Sequence, residues 1–373
     1  MSGLYIHIPF CVQKCRYCDF YSEACCDEAR VSSFLEALDA ELRQLDSAFV
    51  PTTLFFGGGT PTALSAEKMG DLLGSLKRHV DLSQVEEWSV EANPGTLTAR
   101  KLELLCAAGV NRVSLGVQSF NDQRLEWLGR IHRARDVYDA VSLIRSFGGL
   151  DLNLDLMHSI PGVTLPEWEA ELDAALSLSP QHISCYNLTF EPGTPLADML
   201  EAGELEEPSE ELQLAQFELT DRRLKMAGYE HYEISNYARR GHECRHNMLY
   251  WTAGDYIGCG PSAHSHMRGR RFANTDTLDE YGRMIRDCGS ACDFEERLPE
   301  EARARETLVF GLRLLAGVNH YWFEEKTGYK IEELCGDEVE RLKEVGLLEQ
   351  VGANLRLTRA GLFVSNSVFA ELV

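Results

Sequence analysis

The stretch "YIHIPFCVQKCRYCDFYS" (residues 5–22) decides how the rest of this 373-residue chain is read. The apolar run "LYIHIPF" (4–10) reads as a strand. Directly after it come Cys11, Cys15 and Cys18, three thiols within eight residues. Two residues further on, where a fourth thiol would be convenient, the chain has Phe20.

A structural zinc site needs four ligands. Cys25, Cys26 or His7 could supply the fourth, but C-x3-C-x2-C is not a common zinc spacing. Ordinary ferredoxin clusters use four thiolates. A cluster of free thiols would be reactive. The chain has 12 cysteines. It is long, and the other nine are irregularly spread, so metal binding or catalysis is expected before disulfides. No run of about 18 apolar residues is present, so no membrane span is expected. "MSGLYIHIPF" lacks a basic segment followed by an apolar one, so no secretory signal is expected and the cytoplasm is the expected compartment.

Apolar residues make up 44% and charged residues 25% of the chain, as in soluble globular proteins. Lys and Arg number 36 against 59 Asp and Glu, a formal charge of -23. A nucleic-acid groove needs a basic stripe, and only the local "RGRR" (268–271) offers one, so no nucleic-acid partner is expected.

Along the first half, short apolar runs alternate with amphipathic stretches. Strands are predicted at 4–10, 53–58, 87–93, 112–120, 152–162 and 182–190. Helices are predicted at 31–45, 65–80, 98–109, 134–148 and 165–179, where apolar residues recur at three and four. Gly109 and Gly148 stand where left-handed C-caps belong. Strand and helix repeated about six times imply parallel strands with right-handed crossovers. The fold class expected is α/β, a partial (β/α)6 TIM-like barrel over 1–205, with a flat doubly wound sheet as the runner-up. Polar residues at or near strand ends (Glu91, Asn93, Gln118, Asp155) lie where chemistry collects in such folds and need partners if buried, from a ligand or from neighbouring loops. Residues 206–295 form an accessory α+β segment. Residues 296–373 read as three helices and a two-stranded hairpin about a Gly-Ala-Asn turn, a winged-helix-like end. In so acidic a chain, that end is expected to be a lid or packing module.

The spacing C-x3-C-x2-C resembles that of the radical S-adenosylmethionine superfamily. There, three cysteines hold a 4Fe-4S cluster, and the open iron chelates the amino and carboxylate groups of S-adenosylmethionine. An electron from the cluster then cleaves the cofactor, and the deoxyadenosyl radical abstracts hydrogen from a substrate. A fourth thiolate would block the open iron. "YIHIPFC", "FFGGGTPT", "VEANPGT", "SLGVQSF" and "LDLMHSIPG" are similar to the coproporphyrinogen oxidase-like branch. The resemblance implies that Cys11, Cys15 and Cys18 hold the cluster and that Tyr5 contacts the cofactor. It places the methionine amino group at Gly58, Gly59 and Thr60 and the ribose at Glu91. Gln118, Arg130 and Asp155 fall around the ribose and carboxylate.

Two types in that branch compete. Oxygen-independent coproporphyrinogen dehydrogenases typically carry C-x3-C-x2-C-x-C and decarboxylate two propionates. Haem chaperones of the HemW type lack the last cysteine, as Phe20 does here, and carry H-N-x-x-Y-W. "HNMLYW" (246–251) matches that pattern, which implies His246 as a haem ligand beside Tyr250 and Trp251. Cys244, His264 and His266 are further candidates. "GCGPSAHSH" (258–266) is shared by both types and reads as a turn. The expectation is a haem chaperone binding haem, 4Fe-4S and S-adenosylmethionine. Its partners would be recipient haem proteins, membrane-associated respiratory enzymes among the candidates, and a homodimer is considered. A structural iron–sulfur or zinc protein with a DNA-binding end is a third reading.

Overall fold

The computed structural model describes residues 2–24 and 27–373. The expected zinc-ligand candidates Cys25 and Cys26 therefore lie outside the described residues. Six strands, Ser2–Ile8 (β1), Thr53–Gly58 (β2), Glu87–Ala92 (β3), Arg112–Gln118 (β4), Asp151–His158 (β5) and His182–Asn187 (β6), pair in parallel. Between them run helices Glu28–Leu42 (α1), Ala66–His79 (α2), Ala99–Ala108 (α3), Asp122–Trp127 (α4), Ala134–Phe147 (α5) and Leu165–Ser177 (α6). The strands lie in the sheet in chain order. A doubly wound sheet must reverse that order at a switch point, so the runner-up falls. With every crossover right-handed, the helices share one face, and the other face turns inward as a barrel wall.

Local chemistry sets the element ends. Side chains of Asp27, Ser65 and Thr98 accept backbone N–H bonds at the starts of α1, α2 and α3. Gly109 ends α3 in the left-handed conformation (φ 114, ψ 7). Gly148 differs from expectation: its φ is 67 but its ψ is 156, so it turns a corner without making a left-handed cap. The short α4 was not predicted, because so few turns carry no readable period. Asn121 caps it through Gln123 and Arg124 N–H groups.

After helices Pro195–Glu201 (α7) and Glu210–Met226 (α8), the chain returns to the same sheet. Glu230–Glu233 (β7) and Asn236–Ala238 (β8) add antiparallel strands beside β6. Helix Arg245–Trp251 (α9) leads to Asp255–Cys259 (β9), which pairs in parallel with the free side of β1. His264–Met267 (β10) and Arg270–Asn274 (β11) follow, then helix Leu278–Cys288 (α10) and Cys292–Glu296 (β12). The accessory segment thus extends both edges of one 12-stranded sheet. The expected turn "GCGPSAHSH" is the end of β9, a turn and most of β10. Strands of three to five residues are too short to show alternation.

Helices Glu300–Leu312 (α11), His320–Thr327 (α12) and Ile331–Glu344 (α13) pack with a small sheet of Val318–Asn319 (β13), Leu348–Val351 (β14) and Asn354–Leu357 (β15). Their apolar cluster, built around Leu308, Leu312, Phe323 and Leu342, is separate from the main core. No helix among the described residues is long and apolar enough to cross a membrane. Leu308 is fully buried, so Leu308→Ala should cost about 2–5 kcal/mol. A urea midpoint equal to that of the unaltered chain would refute a cooperative core there.

Candidate cofactor site

The inward face of the barrel is read off the pleat. Alternate residues of each strand point the same way, and those facing in are Tyr5, Glu91, Ser114, Asn153 and Asp155, with His182 and Ser184 beside them. They line a cavity of about 690 Å³ at the carboxyl ends of the strands. Every residue expected to hold the cluster or cofactor lines this one cavity: Cys11, Cys15, Cys18, Tyr5, Gly58, Gly59, Thr60, Glu91, Gln118, Arg130 and Asp155.

The cysteine loop is closed at its neck, where Cys11 N–H donates to Glu23 O (2.9 Å) and Glu23 N–H to Pro9 O (2.7 Å). Inside the loop, Arg16 N–H donates to Leu128 O (3.0 Å) and Gln13 Nε2 to Gly129 O (2.9 Å). The glycine turn is latched beside it. Gly59 N–H donates to Ile8 O (2.9 Å) and Thr60 N–H to Phe10 O (2.7 Å). A Cβ on Gly59 would stand 2.6 Å from Phe10 O, so only glycine permits the approach. Thr60 Oγ1 lies 3.6 Å from Cys11 Sγ and accepts from Asn93 Nδ2 at 2.9 Å. Phe20, 69% exposed, stands at the lip.

Arg130 reaches in over Gly116, where a Cβ would crowd its Nη2 at 3.1 Å. Its guanidinium donates to Gly116 O (2.6 Å), Asn93 Oδ1, Cys15 Sγ (3.4 Å) and Tyr17 OH (3.3 Å). Its buried Nε has no hydrogen-bond partner among the described residues. Gln118 sits at a bulge with φ 65, a left-handed backbone that non-glycine residues rarely adopt. Tyr5 OH donates to His7 Nδ1 (3.2 Å), because His7 Nε2–H is spent on Tyr21 O (2.9 Å). Both nitrogens of His7 are thus engaged, which removes it as a fourth metal ligand in this arrangement.

Two carboxylates face the cavity. Asp155 accepts from Ser114 Oγ (3.0 Å) and Asn153 Nδ2 (2.7 Å), yet burial pushes its pKa up. Glu91 is pushed up to about 8 by burial first and by the Asp155 charge second, against one hydrogen bond from Gly58 N–H. Three thiols, a cradle that a Cβ would fill, an orphaned guanidinium nitrogen and a carboxylate in need of a partner together fit a polar, amino-acid-bearing cofactor on a three-cysteine cluster.

His246 also lines this cavity, although it is only 1% exposed. Glu87 holds the start of α9 by accepting from Arg245 N–H (3.0 Å) and His246 N–H (2.9 Å). The ring stacks on Phe55 at 5.3 Å. Its Nδ1 pairs with Thr53 Oγ1 (2.8 Å) and its Nε2 with Tyr250 OH (2.8 Å). The expected haem ligand therefore has neither nitrogen free, and burial lowers its pKa to about 3. The i,i+4 spacing of His246 and Tyr250 on a helix was the available signal for this pair. Cys244 is also buried, its thiol pointing to Glu87 Oε1 at 3.6 Å. Tyr17, Asn153 and Ser184 also line the cavity and are not among the residues expected from the sequence. Period-two spacing from Asp155 would have found Asn153.

This fold and site define a radical S-adenosylmethionine protein. Residues 5–175 match the Radical SAM superfamily, and 298–364 match the HemN C-terminal domain. The chain is 36% identical to "Heme chaperone HemW" of Bacillus subtilis over 100% of this chain and 99% of that protein. It is 36% identical to the Escherichia coli protein of the same name, over 98% and 96%. Coproporphyrinogen III oxidase (HemN) from Escherichia coli shares the fold, with a TM-score of 0.86 at 21% identity, covering 100% of this chain and 89% of that one. The chain belongs to the HemW family of the radical SAM superfamily.

A raised carboxyl pKa stabilises the fold fully below the unfolded value of 4.5, and that contribution is lost as pH climbs toward about 8. Glu91→Gln should therefore gain on the unaltered chain as pH rises through that window, by roughly 1.4 kcal/mol per unit. Urea unfolding of the cofactor-free chains at both ends of the window measures the gap, and a constant gap refutes the assignment.

Proposed function

We propose that this chain is a haem chaperone, which binds haem and passes it to recipient haem proteins. The observation that carries the reading is Phe20 at the lip of the cysteine loop, where a fourth thiol of the dehydrogenase type would stand. End-to-end similarity to proteins named heme chaperones supports it. In this reading Cys11, Cys15 and Cys18 hold a 4Fe-4S cluster and leave one iron open. Gly58, Gly59 and Thr60 receive the amino group of S-adenosylmethionine. Arg130, beside Cys15, presents the guanidinium fork that suits a carboxylate. Glu91 takes a ribose hydroxyl, with Tyr5, Gln118 and Asp155 around it. When bound, the cluster and S-adenosylmethionine supply one-electron chemistry.

The chain's own part is to exclude water and hold charges. Glu91, poised to carry a proton, can donate or accept toward a hydroxyl without leaving a bare anion in the cavity. Asp155 stays fixed by Ser114 and Asn153. The latch between the glycine turn and the cysteine loop links cofactor binding to the order of the loop that carries Phe20.

The test is an anaerobic assay on cluster-reconstituted protein with S-adenosylmethionine, a reductant and coproporphyrinogen III. Haem transfer to an apo-haem protein is measured on the same preparation. Haem binding and transfer without decarboxylated porphyrinogen is expected. Stoichiometric decarboxylation with deoxyadenosine would make the chain a dehydrogenase and overturn the reading. Cys15→Ala should abolish the cluster absorbance while leaving α-helical circular dichroism intact.

A further inference from the structure

A second cavity, of about 860 Å³, opens on the far side of the wall made by Tyr5, Phe20 and Tyr250, between β10–β11 and helices α11 and α12. It is at the large end of the range for small-molecule sites, about 300–1,000 Å³. Its lining combines three features that a flat, dianionic metalloporphyrin requires.

The first is an aromatic wall. Tyr250 and Tyr256 meet edge to face at 4.6 Å, with Trp251 and Phe310 beside them. Such rings offer wide apolar area with defined orientation. The tyrosine and tryptophan of "HNMLYW" thus face this second space, while the histidine of the motif is spent inside.

The second is a poised imidazole. On β10, Ser265 turns away and its hydroxyl accepts from Gly258 N–H at 2.9 Å. His264 and His266, either side of it, then line the cavity. His266 Nδ1 lies 3.1 Å from Gly254 O. A carbonyl only accepts, so Nδ1 carries the hydrogen and Nε2 keeps its lone pair. A backbone carbonyl holding one nitrogen is the usual support for a metal-ligating histidine. His246 has no such free nitrogen.

The third is unpaired positive charge. The chain carries a formal charge of -23, and most of its cations are paired. Arg271 is paired to Glu306 and Glu296. Arg268, Arg303 and Lys326 line the same cavity and make no ion pair among the described residues. Gly269 leaves room for Arg303, since a Cβ there would meet its Nη1 at 2.4 Å. Free guanidinium and ammonium groups at the rim of an apolar slot suit carboxylates.

We propose that this second cavity is the haem site, with His266 Nε2 as an axial ligand and Arg303 and Lys326 receiving the propionates. The proposal rests on the haem-chaperone reading and gives that reading its place. Phe20 and Tyr250 then stand between the haem and the cluster cavity, since both residues line the two spaces. The cargo lies one side chain from the cysteine loop.

The experiment is a titration of haemin into the full-length, cluster-loaded chain, followed by Soret difference spectra and electron paramagnetic resonance. His266→Ala should lose the ligand-field signature of the bound iron, and added imidazole should restore it. Arg303→Glu with Lys326→Glu should weaken haemin about a hundred-fold, taking about ten-fold per charge-assisted bond. It should leave the dimethyl ester of haemin nearly unaffected. S-adenosylmethionine binding retained in each variant shows that the fold survives. Unchanged haemin affinity and spectra in both variants would overturn the site, as would a signature lost only in His246→Ala; a signature lost only in His264→Ala would overturn His266 as the ligand. Failure of the unaltered chain to bind haemin would instead bring down the chaperone reading itself.

Discussion

Two backbone hydrogen bonds hold the site together. Gly59 and Thr60 donate to the carbonyls of Ile8 and Phe10, and this seats the glycine turn of β2 against the first cysteine. The approach is so close that no Cβ fits at Gly59. A strand end on its own positions nothing beyond its last residue. Once the two loops are latched, Cys11, Thr60, Asn93 and Arg130 form one connected set, and the carboxylates of β3 and β5 face the same space.

Around that set lie ionisable groups half-buried in the cavity wall. Arg130 lies among carbonyl, amide and thiol groups without a carboxylate of its own. Glu91 lines the same cavity with one backbone donor. A group bearing both a carboxylate and hydroxyls would match both sides.

The motif "HNMLYW" divides into two jobs. His246 is a strut, fixed at both nitrogens between β2 and Tyr250 and anchored at its backbone by Glu87. Tyr250 and Trp251 are the surface that strut supports. The residue expected to ligate thus braces one of the residues expected to stack, on one face of a short helix. The edge strands β9 to β11, added late in the chain, build the other wall. An acidic protein that keeps three cations unpaired there holds a local field its overall charge would otherwise oppose.

Much was legible in the residues alone. The spacing of Cys11, Cys15 and Cys18, the glycine turn, the alternation of strand and helix and the polar strand ends Glu91, Gln118 and Asp155 were all readable. Each is a local pattern: a pleat of two, a helical period near four, or a fixed loop length. By itself the sequence determined the barrel half, the three-cysteine spacing of the loop and the cavity-facing groups Glu91, Gln118 and Asp155, but not Tyr17, Asn153 or Ser184. Only the tertiary structure decided that β7 to β12 join both edges of the same sheet, that Gly148 is no left-handed cap and that His246 is fully engaged. It also decided that His266 keeps a bare nitrogen beside unpaired arginines. Those facts depend on pairings between segments far apart in the chain, such as Ser2 with Asp255 and Thr53 with His246. A local period carries no information about which distant partner will satisfy a buried group.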